Sequence, residues 1–193
     1  MVQFGLTIYR ETLASHLADP KNSPFAEAMN VPFLIRYPGK LKPGISDLLL
    51  GTPDIMPTLL SLAGLKEAIP LSVQGLDLSE NLMHPDQGRG PAAQLYIQNT
   101  DGMKDAAGKV RSYFPVSRGI KTQRYTLSIS INKNKEIVKV LLFDDLKDPY
   151  QMQNLQKDNR IFKSLCKQMA NLLKQADDPW YREKILSEII PYD

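Results

Sequence analysis

Few side chains in this chain of 193 residues are of a type and spacing that could do chemistry. His16 and Lys21 stand close together in H-L-A-D-P-K-N. A fixed ammonium stabilises an anion, most of all one whose negative charge grows in a transition state. Spacing alone favours a plainer reading, a solvated Lys21 paired with Glu27. His16 can order such a site or be a hydrogen-bonded, partly buried histidine. His84, in M-H-P-D-Q-G-R-G, reads as an exposed loop residue with no second metal ligand in view. Cys166 is the only cysteine, which excludes an intrachain disulfide. At a helical position in S-L-C-K-Q-M-A it reads as a small buried hydrophobe. Asp144, Asp145 and Asp148 follow an apolar run, where acids read as caps and turn formers rather than as a metal site.

The elements that must carry these residues change character along the chain. Val2, Phe4, Leu6 and Ile8 alternate, which predicts a strand with one buried face. Pro24 to Met29 has room for about one helical turn. Val31 to Tyr37 is short and apolar with Pro38-Gly39 after it, and predicts a buried strand. In T-P-D-I-M-P-T-L-L-S-L-A-G-L, Pro57 must lie in the first turn of a helix, so Asp54 is the predicted cap. Ile55, Leu59, Leu62 and Ala63 then form its apolar stripe, and Gly64 ends it. Gly75 reads as a turn glycine.

From Gln94 onward the pattern is antiparallel β. L-Y-I-Q-N is a strand and M-K-D-A-A-G-K-V-R-S-Y a polar connection. Tyr125, Leu127, Ile129 and Ile131 alternate with polar residues, predicting one buried and one wet face. Asn132 to Lys135 turns the chain into I-V-K-V-L-L-F. Asp158 or Asn159 starts a helix with Ile161, Phe162, Leu165, Met169, Leu172 and Leu173 on one face, which packs under the sheet. Asp177-Asp178-Pro179 ends it and starts another, anchored by Trp180, Ile185 and Ile189.

Composition bounds the function classes. Hydrophobic residues make up 42% of the chain, enough for a real core. The net charge of +3 comes from acids and bases mixed along the chain, which argues for neither nucleic acid nor an anionic membrane as partner. No apolar run is long enough to span a bilayer. The N-terminus lacks a basic region followed by an apolar stretch, so no signal peptide is expected.

Taken together, Glu11 to Leu65 resembles the formylglycine-dependent sulfatases of the alkaline-phosphatase superfamily. The resemblance runs through H-x-x-x-x-K-N, then P-[YF]-x-E-x-x-x-V-P-[FL]-[IL]-[IL]-R-x-P-G, then D-[IL]-x-P-T-L-L-x-L-A-G. It continues in S-R-G-I-K-T-Q-R-Y and in F-D-D-L-K-D-P-Y-Q-M-Q-N-L, which is similar to the signature L-[FY]-D-L-x-x-D-P-x-E-x-x-N-L. It covers most of this chain but only the last part of the family's length. The implied fold class is α/β. Residues 1–90 would be the end of an alkaline-phosphatase-like α/β domain. Residues 91–193 would be a small antiparallel β-sheet subdomain packed by a C-terminal helix.

The resemblance also implies chemistry. Lys21 matches the lysine that contacts the substrate sulfate, and His16 has the family spacing to it. The intact family enzyme uses formylglycine with calcium or magnesium to hydrolyse a sulfated small molecule or glycan, and works in the periplasm or outside the cell. Ile8, Tyr9 and Arg10 stand where the family has metal ligands, and neither a C-x-P-x-R nor an S-x-P-x-R motif occurs. The expectation is therefore the C-terminal portion of a sulfatase, inactive alone, from a truncated or altered gene or a pseudoenzyme. A phosphodiesterase or phosphonate hydrolase of the same superfamily, or a non-catalytic binding module, are the alternatives.

Overall fold

The computed structural model describes residues 3–5, 24–86, 90–99, 103–104, 107, 110–112, 116–155 and 160–190. The chain divides into two compact units, one of residues 1–7 and 33–94, the other of residues 8–32 and 95–193.

In the first unit, strand β1 (Gln3–Gly5) pairs antiparallel with β2 (Leu34–Arg36), Phe4 opposite Ile35. The buried strand expected over Val31 to Tyr37 is shorter, and it is not buried. Leu34 is 54% exposed. With β1 as its partner it is half of a two-stranded ribbon, and a strand is buried only when neighbours and a second layer cover it.

Helix α2 (Thr52–Leu62) begins earlier than expected. Gly51 is its cap, and Asp54 sits three residues in. The Gly51 N–H donates to Asp54 Oδ2 at 2.8 Å, and the Asp54 N–H donates to the Gly51 carbonyl at 3.0 Å. Pro57 is therefore inside the helix, where it removes the bond to the Pro53 carbonyl. Gly75 passes against that same carbonyl: a Cβ built on it would lie 1.9 Å from Pro53 O. Gly75 serves close approach, not the turn conformation expected from sequence.

The α2 stripe is also turned by a residue from expectation. Asp54, Pro57, Thr58 and Leu62 are buried, whereas Ala63 is exposed. Polar burial decides this phase. Asp54 also accepts from Leu76 N and Gln94 Nε2, each at 2.7 Å, and Thr58 Oγ1 accepts from Leu78 N at 3.0 Å. Gly64 ends the helix with φ +79°, as expected for its C-terminal turn. A short 3₁₀ turn (Lys66–Ala68) and helix α3 (Ser79–Met83) follow in the loop. His84 is exposed at the end of α3.

Among the described residues, the second unit begins with one turn of helix, α1 (Ala26–Met29). Strands β3 (Ala93–Gln98), β6 (Ser117–Thr122), β7 (Tyr125–Ile131) and β8 (Ile137–Asp144) form a four-stranded sheet in the order β3-β6-β7-β8. The β6-β7 and β7-β8 pairs are antiparallel. The polar connection expected between β3 and β6 contains a small antiparallel hairpin, β4 (Met103–Lys104) with β5 (Val110–Ser112). Asn132 builds the β7-β8 turn: its Oδ1 accepts from Asn134 N at 2.9 Å and Glu136 N at 3.0 Å.

Both faces of β7 are buried, against the expectation of one wet face. Leu127 and Ile129 lie on one side, Thr126, Ser128 and Ser130 on the other. The strand is central, and the register sets Thr126 opposite Phe143 and Ser128 opposite Leu141, over which Phe25 packs. Hydroxyls tolerate this because most are paired. Ser130 bonds Ser117 at 2.8 Å and Thr126 bonds Asp145 at 2.7 Å, while Ser128 Oγ has no partner among the described residues.

Helix α4 (Arg160–Gln175) lies against β6 and buries Phe162, Leu165, Cys166, Met169, Ala170 and Leu173. The residues expected to cap it lie outside the described ones. Asp178 caps α5 (Pro179–Arg182), accepting from Trp180 N at 2.8 Å. After it, Leu186 and Ile190 are the fully buried anchors, not Ile185 and Ile189. The helix stops at Arg182 and Lys184 takes φ +53°, which rotates the following residues out of the helical phase.

Candidate functional site

Lys21 and His16, and the Ile8-Tyr9-Arg10 step, lie outside the described residues. The structure does describe where the chain goes directly after Lys21. Pro24 is buried, and the Phe25 ring meets Phe143 with centroids 5.8 Å apart. The first amide of α1, Ala26 N–H, donates to Gln151 Oε1 at 2.7 Å. Gln151 Nε2 donates to Asp145 Oδ1, also at 2.7 Å. The other oxygen of Asp145 takes Lys121 Nζ and Thr126 Oγ1. Strands β6 and β7 and the loop after β8 thus converge on one carboxylate, to which α1 is joined through Gln151.

The acids after β8 divide their work. Asp148 is the turn former expected: its carbonyl accepts from Gln151 N at 2.9 Å and its carboxylate from Gln153 N at 2.7 Å. Asp144 and Asp145 do more than turn the chain. Asp144 is held by Arg124 through contacts of 2.7 to 3.1 Å, and the Arg124 guanidinium keeps its carboxyl below the usual carboxylate range. Asp145 is the hub just described. Sequence reading missed this, because Gln151 and Ala26 are 125 positions apart. The only local signal was a glutamine directly after an Asp-Pro turn.

A second polar lock lies on the other side of the sheet. Arg118 Nε donates to Asp178 Oδ2 at 2.9 Å, and its guanidinium stacks 5.0 Å from the Trp180 ring centre. Cys166 is buried, and burial pushes its thiol up to about 12, far from a nucleophilic thiolate. Beside β8, an open depression of about 580 Å³ is lined in part by Lys135, Lys163, Glu136 and Glu188. Charges of both signs leave it without the field of an anion site.

Among the described residues no group of three or more His, Cys, Asp or Glu could hold a metal ion. The described side chains therefore do not fit the calcium or magnesium that the resemblance implies. No described helix is long and apolar enough to cross a membrane.

A four-stranded antiparallel sheet backed by C-terminal helices is the architecture that sulfatases of the alkaline-phosphatase-like fold carry in this region. Residues 19–178 match the family model for N-sulphoglucosamine sulphohydrolase, C-terminal, and the chain belongs to that sulfatase family. It is 53% identical over 188 residues to an endo-4-O-sulfatase of Bacteroides thetaiotaomicron, covering 94% of this chain and 37% of that protein. A solved chain from work on glycosaminoglycan metabolism by the same organism is 52% identical, with a TM-score of 0.77 over 88% of this chain and 36% of that one. Another, solved with its substrate D-glucosamine-2-N,6-O-disulfate, is 25% identical, with a TM-score of 0.61 over 80% of this chain and 30% of that one. The chain thus spans the C-terminal part, little more than a third, of the first two of these sulfatases.

Proposed function

We propose that this chain completes a sulfuric ester hydrolase acting on a sulfated glycan, by supplying the cation that meets the substrate sulfate. Lys21 is that cation, and His16 orders it. The observation that carries the reading is the 53% identity to an endo-4-O-sulfatase through nearly the whole chain. A sulfuryl group in transfer spreads negative charge over its oxygens, and a fixed ammonium stabilises that charge more than it stabilises the bound ester. The formylglycine nucleophile and the divalent metal belong, on this reading, to a part of the enzyme outside these residues. The proposed division follows residues 1–90, as the end of the catalytic α/β domain, and residues 91–193, as the small antiparallel subdomain. Large apolar side chains exposed in the first unit, among them Phe33, Leu34, Ile45, Met56 and Leu71, suit a surface that further chain would cover.

The test is a chimera. Residues 11–193 are joined to the preceding part of the Bacteroides endo-4-O-sulfatase, and Lys21→Ala is compared with the parent on a sulfated glycosaminoglycan oligosaccharide. Removing the cation should cost about 2–4 kcal/mol of transition-state stabilisation, roughly 10² to 10³ in kcat/KM. Lys21→Arg should restore it only in part, because a planar fork does not replace a compact ammonium. Near-parental turnover of Lys21→Ala, with His16→Ala inactive, would refute the assignment.

A further inference from the structure

We propose that Gln151 is a positioning residue for the segment that carries Lys21, an inference that rests on the sulfatase reading above. Gln151 is buried and holds φ +54°, a left-handed conformation that a non-glycine residue adopts only when its surroundings hold it there. Its side chain uses both ends of the amide. The Nε2 donates to Asp145, and the Oε1 accepts the first N–H of α1, each at 2.7 Å. Asp145 is itself held in place by Lys121 and Thr126, so α1 is tied through Gln151 to a charge fixed in the sheet. The Phe25–Phe143 contact fastens the same turn from its apolar side. Lys21 lies five positions before Ala26 in sequence. Play at α1 would become play at the ammonium, and misplacement of a catalytic group by about 1 Å costs roughly a hundredfold in rate.

With Asp145 as its partner, where the family signature has leucine, the bridge demands glutamine at the position where that signature has glutamate. One end must donate to a carboxylate while the other accepts from a backbone amide, and a neutral carboxamide does both. A carboxylate there would face Asp145 at hydrogen-bond distance and have no proton to give. A protonated carboxylic acid would do what the amide does. Gln151→Glu therefore carries a built-in switch. Burial and Asp145 both raise the pKa of the introduced acid. The bridge is then present below that raised pKa and is lost as pH rises through it. The charged groups around this bridge are Asp145, which takes the Gln151 amide, Lys121 of β6, which bonds the same carboxylate, and Asp148, whose carbonyl accepts from Gln151 N. Helix α1 carries Glu27 in its sequence.

The experiment has two arms. In the 193-residue chain, protection of the Ala26 amide is followed by hydrogen exchange, with Trp180 fluorescence verifying the fold. Gln151→Leu should lose protection at every pH; Gln151→Glu should lose it at neutral pH and regain it in mild acid. In the chimera, kcat of Gln151→Glu relative to the parent at the same pH should fall about 10- to 100-fold at neutral pH and recover in acid, with KM little changed. Wild-type protection in Gln151→Leu, or in Gln151→Glu at neutral pH, overturns the bridge. Protection that switches with pH while relative kcat does not overturns the positioning role. A parental chimera without turnover refutes the sulfatase reading, and the role of Gln151 with it, even where the amide arm comes out as expected.

Discussion

Arg118→Met should be among the most damaging single changes to the second unit. The side chains of Arg118 and Asp178 are 4% and 5% exposed, with Nε and Oδ2 2.9 Å apart. Arg118 Nη1 also donates to the carbonyls of Ser117 at 3.0 Å and Gln98 at 3.3 Å. Methionine keeps much of the packing against Trp180 but strands a buried carboxylate whose remaining partner among the described residues is the Trp180 amide. Breaking a buried pair from one side costs about 3–5 kcal/mol, mostly as the penalty of the charge left behind. For a urea slope of about 2 kcal/mol/M, the unfolding midpoint should fall by roughly 1.5–2.5 M. Trp180 is the only tryptophan and is buried against Arg118, so its fluorescence reports this unit directly. Asp178→Asn keeps a capping side chain while removing the charge. The double variant Arg118→Met/Asp178→Asn should therefore be more stable than Arg118→Met alone, although it carries one more substitution. A midpoint for Arg118→Met equivalent to less than about 0.5 kcal/mol, within the range of ordinary surface changes, would refute the reasoning. So would a double variant whose losses simply add.

Three further outcomes are expected. Arg124 holds the Asp144 carboxyl below its usual range, so this contact adds stability above the normal aspartate pKa and loses it as pH falls through the lowered one. In Arg124→Leu the Asp144 titration followed by NMR should move upward, and an unmoved titration would discount the pair. Cys166, with its thiol pushed up to about 12, should resist iodoacetamide at mildly alkaline pH and react promptly in strong denaturant; rapid labelling of the folded chain would contradict its burial. The purified chain alone should neither hydrolyse an aryl sulfate nor bind calcium tightly, since it has no C-x-P-x-R or S-x-P-x-R motif. Chelator-sensitive turnover above a buffer blank would overturn that.

What the sequence determined by itself is what local sterics and periodicity can carry. The alternation in Tyr125 to Ile131 specifies a strand, because side chains point to opposite faces with a period of two. The spacing of Phe162, Leu165, Met169 and Leu173 specifies one buried face of α4. Asp178-Pro179 marks a helix start, because proline needs no donor partner in a first turn. The ordered motifs from Glu11 to Leu65 were enough to recognise the family, and they nominate Lys21 and His16 as its candidate site residues. Tertiary structure decided which faces are covered and which distant groups meet. The polar side of β7 is buried because β6, β8 and Phe25 surround it, and nothing in T-L-S-I-S-I encodes that. The strand after Val31 is exposed for the converse reason: it has β1 as partner and no cover. Asp54 became a hub for Gly51, Leu76 and Gln94, and Gly75 a close neighbour of Pro53, only when the chain folded back on α2. Gln151 reaches Ala26 across 125 positions. Periodicity speaks only for neighbours within a few residues, whereas burial and hydrogen-bond partnership belong to whatever the rest of the chain brings alongside.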